Sequence, residues 1–96
     1  MILVRGVFQA KYGMGDELVQ LFKGSRELWP SEHTLRILTD LSGPFFTVVT
    51  EVEYESFSAW EAEAHTVFAN PRFGAWFERM TPLVEGGRRE FYNVVE

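Results

Sequence analysis

The alternation of apolar and polar positions divides the chain into alternating strand and helix patterns. Phe45-Phe46-Thr47-Val48-Val49-Thr50-Glu51-Val52-Glu53-Tyr54 is dense in β-branched and aromatic residues and predicts a strand. Phe57, Trp60, Ala64, Val67 and Phe68 follow at helical spacing, behind a Ser56 that can cap the helix. Earlier, Ile2 to Ala10 reads as a first strand, with Ile2, Val4, Gly6 and Phe8 on one face and Leu3, Arg5, Val7 and Gln9 on the other. After a turn at Lys11–Gly15, with Gly15 or Asp16 as cap, Leu18, Leu21, Phe22, Ser25, Leu28 and Trp29 mark a helical stripe that Pro30 ends. Gly24 weakens that helix by ~1 kcal/mol relative to Ala unless something approaches it closely.

Ser31–His33 reads as a loop, Thr34–Asp40 as the second strand, and Leu41–Pro44 as the hairpin link into the third. Asn70-Pro71 restarts the second helical region, where Phe73, Trp76, Phe77 and Met80 repeat at helical spacing. Gly86-Gly87 reads as a turn and Arg88 to Glu96 as the last strand. The order β-α-β-β-α-β predicts an α+β, ferredoxin-like domain spanning residues 1–96, a four-stranded antiparallel sheet with the helices on one face. The other face would carry Val7, Val49, Val94 and Tyr92 among polar residues, a mixture too apolar for bare solvent. A second sheet from an identical subunit is the simplest cover.

Composition narrows the possible functions. Nine basic against fourteen acidic residues give a net charge of −5, which disfavours a nucleic-acid partner. The open face of an RNA-recognition domain needs a cation and aromatics that Ser42-Gly43-Pro44-Phe45-Phe46 and the first strand do not supply. There is no cysteine, which removes disulfides, thiolate metal sites and a thiol nucleophile. No apolar run approaches the ~20 residues of a membrane span, and no basic leader precedes Ile2, so the expectation is a cytoplasmic protein without a membrane partner.

The passage from Glu51 through Tyr54-Glu55-Ser56 to Trp60 and Ala62, followed by Asn70-Pro71-Arg72-Phe73, resembles the dimeric α/β-barrel superfamily, in particular its NIPSNAP-like members and the antibiotic-biosynthesis monooxygenases. The resemblance implies two ferredoxin-like sheets packed into a barrel across a homodimer interface. Haem-degrading members use a first-strand Asn with a Trp and a His; Gln9, Trp60 and His65 stand only approximately in those places, and the Asn is absent.

Among single residues, His65 is the candidate base because imidazole titrates near neutral pH, and Glu51 or Glu53 is its candidate carboxylate partner. His33 is expected at the surface, and the two histidines are not spaced for a metal site. Arg5, Gln9, Arg36, Glu51, Glu53, Glu90 and Tyr92 share the strand parity that faces away from the helices. They either line a barrel interior or form structural ion pairs between sheets. Trp60, Phe68 and Trp76 are core aromatics or the apolar wall of a site between helices and sheet, with His65 at its polar edge. Gly13-x-Gly15 lacks the third glycine of a phosphate loop, since Leu18 stands there. Two functions follow as expectations: a homodimeric small-molecule-binding or interaction domain, or a cofactor-independent monooxygenase or isomerase acting on a small, largely apolar substrate. Neither calls for a cofactor.

Overall fold

The computed structural model describes the backbone of residues 1–96 and every side chain except those of Glu32 and His33, so the expected surface role of His33 lies outside the described residues. Strands β1 (Ile2–Ala10), β2 (Arg36–Thr39), β3 (Thr47–Tyr54) and β4 (Val84–Asn93) form one antiparallel sheet in the order β2-β3-β1-β4. Helices α1 (Gly15–Gly24), α2 (Phe57–Phe68) and α3 (Pro71–Met80) complete the α+β, ferredoxin-like architecture.

The register places Val4, Phe8, Ala10, Val48, Val52 and Tyr54 on the helix side, where they fill two clusters. Leu18, Leu21 and Phe22 of α1 and Met80 of α3 join Ala10 and Val48 in the first. The second gathers Val4, Leu35, Val52 and Tyr54 with Trp60 of α2 packed against it. Two caps act as their sequences predict: Ser56 Oγ accepts from Ala59 N, and Asn70 Oδ1 accepts from Arg72 N with Pro71 in the first helical turn.

Several boundaries differ from the sequence reading, each for a local reason. Helix α1 stops at Gly24 and tightens into a 3₁₀ turn at Ser25–Glu27, where the buried Ser25 hydroxyl donates to Phe22 O at 2.6 Å. The first helical turn carries Asp16 and Glu17, but no side chain caps it. Residues Pro30–Thr34 form another 3₁₀ turn rather than a plain loop, and β2 is only Arg36–Thr39. Phe45 and Phe46 precede β3, since Phe46 takes φ 61 and breaks the extended run.

Gly86-Gly87 is not a turn. Both glycines lie inside β4, opposite Gln9 and Phe8, and the strand ends at Asn93. The Phe8 ring explains the glycine: a Cβ on Gly87 would meet Phe8 Cδ1 at 2.9 Å and Val7 O at 3.0 Å. On the same strand as Phe8, a Cβ on Gly6 would meet Phe8 Cε2 at 2.7 Å and Thr50 Oγ1 at 2.8 Å. Phe8 therefore lies flat over two glycines and reaches Phe22, with ring centroids 4.7 Å apart.

Gly24 is the opposite case, helical with φ −71 and nothing within 4 Å of an added Cβ. Gly24→Ala is expected to raise stability by up to ~1 kcal/mol. Gly6→Ala, which forces Phe8 aside, is expected to lower it by about 1–3 kcal/mol. Urea midpoints of the two variants measure both; equal midpoints would contradict the packing described.

Candidate functional site

The side of the sheet away from the helices carries a row of charges that crosses all four strands. The register aligns Arg36 with Glu51, Glu51 with Arg5, and Arg5 with Glu90, so charges of alternating sign stand side by side from β2 to β4. Arg36 Nη1 is 3.7 Å from Glu51 Oε1, Arg5 Nε is 3.8 Å from Glu51 Oε2, and Arg5 Nε is 4.0 Å from Glu90 Oε1. Arg88 closes the row on the same strand, its Nε donating to Glu90 Oε2 at 2.7 Å, and Tyr92 OH donates to Glu90 Oε1 at 2.9 Å.

Directly beside this row lie Leu38, Val49 and Val7, aligned with one another across β2, β3 and β1. Glu53, Leu3 and Tyr92 flank it on the other side. Arg5, Arg36 and Arg88 balance Glu51, Glu53 and Glu90, so the face carries no net charge. Antiparallel pairing brings such opposed side chains within ~5 Å, which makes the row a product of register alone. Arg5 Nε is buried and accepted by no hydrogen-bond partner among the described residues, although two carboxylates lie beside it.

The electrostatics follow these contacts. Hydrogen bonds from Arg88 and then Tyr92 hold the Glu90 carboxyl below its usual range, and the Glu90 carboxylate in turn pushes the Tyr92 phenol upward. Gln9, also on this side, serves the chain itself: its Nε2 donates to Phe45 O and so ties down the segment leading into β3.

The remaining sequence candidates are scattered. His65 is exposed on α2, whereas Glu51 and Glu53 point away from the helices, so the expected base and carboxylates lie on opposite sides of one sheet. His65 borders neither of two surface grooves, of about 880 and 410 Å³. Trp76 does border one, a groove of about 880 Å³ between α1 and α3 rather than between helices and sheet; its Nε1 donates to Leu21 O at 3.0 Å. Phe68 packs on Trp29 and Phe73, at 5.7 and 5.0 Å. Trp60 sits against Phe91 at 4.8 Å and Phe57 at 5.7 Å, with the Arg89 guanidinium 5.2 Å from its ring. Burial of that guanidinium draws the Arg89 pKa below its ordinary value, even though much of the side chain is open. Sequence reading missed Arg88 as a member of the charged row. Its parity with Glu90, on a strand expected to begin at Arg88, is the signal that reveals it.

Comparison with solved structures gives the fold a setting. An uncharacterized NIPSNAP domain protein from Burkholderia xenovorans superposes with a TM-score of 0.84 at 19% identity, over 99% of this chain and 95% of that one. The chain has the fold of the NIPSNAP domain proteins. A NIPSNAP family protein from Agrobacterium tumefaciens is similar over 99% of this chain and 93% of its own, at 16% identity and TM-score 0.86. An antibiotic biosynthesis monooxygenase matches over 100% of both chains with TM-score 0.68 and 16% identity, so the likeness of fold is weaker there than to the NIPSNAP structures. No protein-family model and no curated protein matches the sequence. Among the described residues no helix is long and apolar enough to cross a membrane.

Two predictions follow from these contacts. The folded-state pKa of Glu90 lies below its unfolded value, so its contribution to stability is present above about pH 4.5 and is lost as pH falls through the lowered value. Denaturation of wild type and Glu90→Gln between pH 3 and 7 should show a wild-type advantage at neutral pH that disappears on acidification. Trp60→Ala, which removes the ring between α2 and β4, should cost about 3 kcal/mol, against under ~0.5 for the exposed Glu61→Ala. Equal denaturation midpoints would place Trp60 outside the core.

Proposed function

We propose that the chain acts as a homodimeric small-molecule-binding domain in which two open sheet faces close on each other to form a barrel. The observation that carries this reading is the charge-neutral row Arg36-Glu51-Arg5-Glu90 set directly beside Leu38, Val49 and Val7. Aliphatic side chains favour removal from water at about 25 cal/mol per Å² of apolar surface. The charges accompany them at tolerable cost only because each already has an opposite neighbour. In a closed barrel Arg5, Arg36, Glu51, Glu53, Glu90 and Tyr92 would line the interior. A charge-balanced interior suits a small, largely apolar and uncharged ligand better than an ion.

A second reading, a cofactor-independent monooxygenase or isomerase, is supported by the likeness of fold to the antibiotic biosynthesis monooxygenase. Its base would be a carboxylate of the open face, Glu51 or Glu53, because the exposed His65 lies on the helical side.

Size-exclusion chromatography with light scattering at micromolar concentration is expected to give about twice the chain mass. Val7→Lys, which places a cation between Val49 and Arg88, is expected to give a folded monomer by circular dichroism. A monomeric wild type would overturn the proposal.

A further inference from the structure

At the end of the sheet, where β1 finishes and the β2–β3 hairpin turns, three aromatic rings and two carboxylates enclose a second recess of about 410 Å³. Tyr12 stands edge to face against Phe45, with centroids 6.1 Å apart at 84°, and against Phe46 at 5.2 Å and 65°. Tyr12 thus meets each phenylalanine ring at a steep angle rather than stacking on it. Asp16 and Asp40 also border the recess, and among the described residues no Lys or Arg does.

The segment that carries Phe45 and Phe46 is tied to β1 and β2 by hydrogen bonds. Thr47 N donates to Asp40 Oδ1 at 3.0 Å, Asp40 N donates to Thr47 O at 3.1 Å, and Ala10 N donates to Phe46 O at 3.0 Å. The Thr47 hydroxyl reaches Pro44 O at 2.8 Å, and Gln9 Nε2 holds Phe45 O. Phe46 is kept at φ 61, a backbone region that non-glycine residues rarely adopt, with its ring against Gly15, where a Cβ would meet Phe46 Cδ1 at 3.1 Å. Tyr12 remains 72% and Phe45 65% exposed, so these bonds fix the backbone around Phe45 and Phe46 while both rings stay at the surface.

We propose that this recess is a binding site for a small organic cation, a free quaternary or tertiary ammonium compound. Aromatic faces carry negative quadrupole potential, and several rings set around one point attract an alkylammonium group through both that potential and its methyl surface. The carboxylates supply the charge. Asp40 uses Oδ1 for Thr47 and Oδ2 accepts no described hydrogen bond, while Asp16 offsets the positive end of the α1 dipole that would otherwise repel a cation. An anion would meet two carboxylates and no cation, and a neutral apolar ligand would gain nothing from them. The recess is built by one chain, so it does not depend on the barrel.

The test is calorimetric titration of the full chain with tetramethylammonium, with choline, and with 3,3-dimethylbutan-1-ol, the uncharged isostere of choline. Both cations are expected to bind, with the alcohol about tenfold weaker or more. Phe45→Ala and Tyr12→Ala remove exposed rings, so each is expected to keep the wild-type melting temperature while weakening choline binding about tenfold. Asp40→Asn retains an acceptor for Thr47 N and is expected to weaken only the cations. The proposal is overturned if neither cation binds by ~10 mM, if the alcohol matches choline, or if the three variants bind as wild type does. Phosphatidylcholine vesicles are expected not to sediment the protein; sedimentation abolished by Phe45→Ala would overturn the assignment to a free ammonium in favour of a lipid headgroup.

Discussion

The pairing register of the central strand β1 is the constraint on which both faces of the molecule depend. A slip of one residue would turn Val4, Phe8 and Ala10 out of the core and carry Arg5 and Val7 into it. Phe8 makes that slip costly from two sides, since its ring needs glycine at Gly6 on its own strand and at Gly87 on β4. With the register fixed, Arg5 necessarily lies between Glu51 and Glu90, and Arg36 beyond Glu51. The core and the charged row are therefore two consequences of one alignment.

The two sides of the sheet solve different problems. On the helix side, aliphatic and aromatic residues meet α1, α2 and α3, and some polar groups there are held by hydrogen bonds. Glu63, for instance, accepts from both Tyr54 OH and Ser31 N. On the open side, charge is neutralised within the sheet: the cross-strand pairs stand at 3.7–4.0 Å, longer than tight hydrogen-bonded pairs, and only Arg88 and Glu90, on one strand, close to 2.7 Å. While Arg36 and Arg5 stay 72% and 41% exposed, such pairs are worth little, of the order of 0–1 kcal/mol. Their worth changes once water is removed, because a desolvated face tolerates only charges that already have partners. The row is thus better suited to being covered than to stabilising an isolated chain.

The ends of the sheet differ in the same way. At one end the hairpin is tied by hydrogen bonds that leave Tyr12 and Phe45 outside the core, while at the other Phe57, Trp60 and Phe91 close on one another beneath α2. Aromatic residues are abundant in the chain, and their position along the sheet decides whether they act as packing or as surface.

The sequence by itself determined the element order, the side of the sheet that residues of its expected strands occupy, the caps at Ser56 and Asn70, and the break before Pro71. Alternation, helical spacing and capping chemistry are local, and the tertiary fold had no reason to override them. It also determined that Arg5, Arg36, Glu51 and Glu90 share a face, but not that they stand in one row, because parity gives the face and only pairing gives the neighbour. Tertiary structure decided the rest. Gly86-Gly87 has the local chemistry of a turn and becomes strand because the Phe8 ring, distant in sequence, occupies the space of a side chain there. The angle of His65 on the helix suits either a cleft edge or a solvated flank; it is the solvated flank, because α2 turns Trp60, Ala64 and Val67 toward the sheet. The aromatic recess was invisible beforehand, since Tyr12 and Phe45–Phe46 belong to segments that only the β1–β3 pairing brings together.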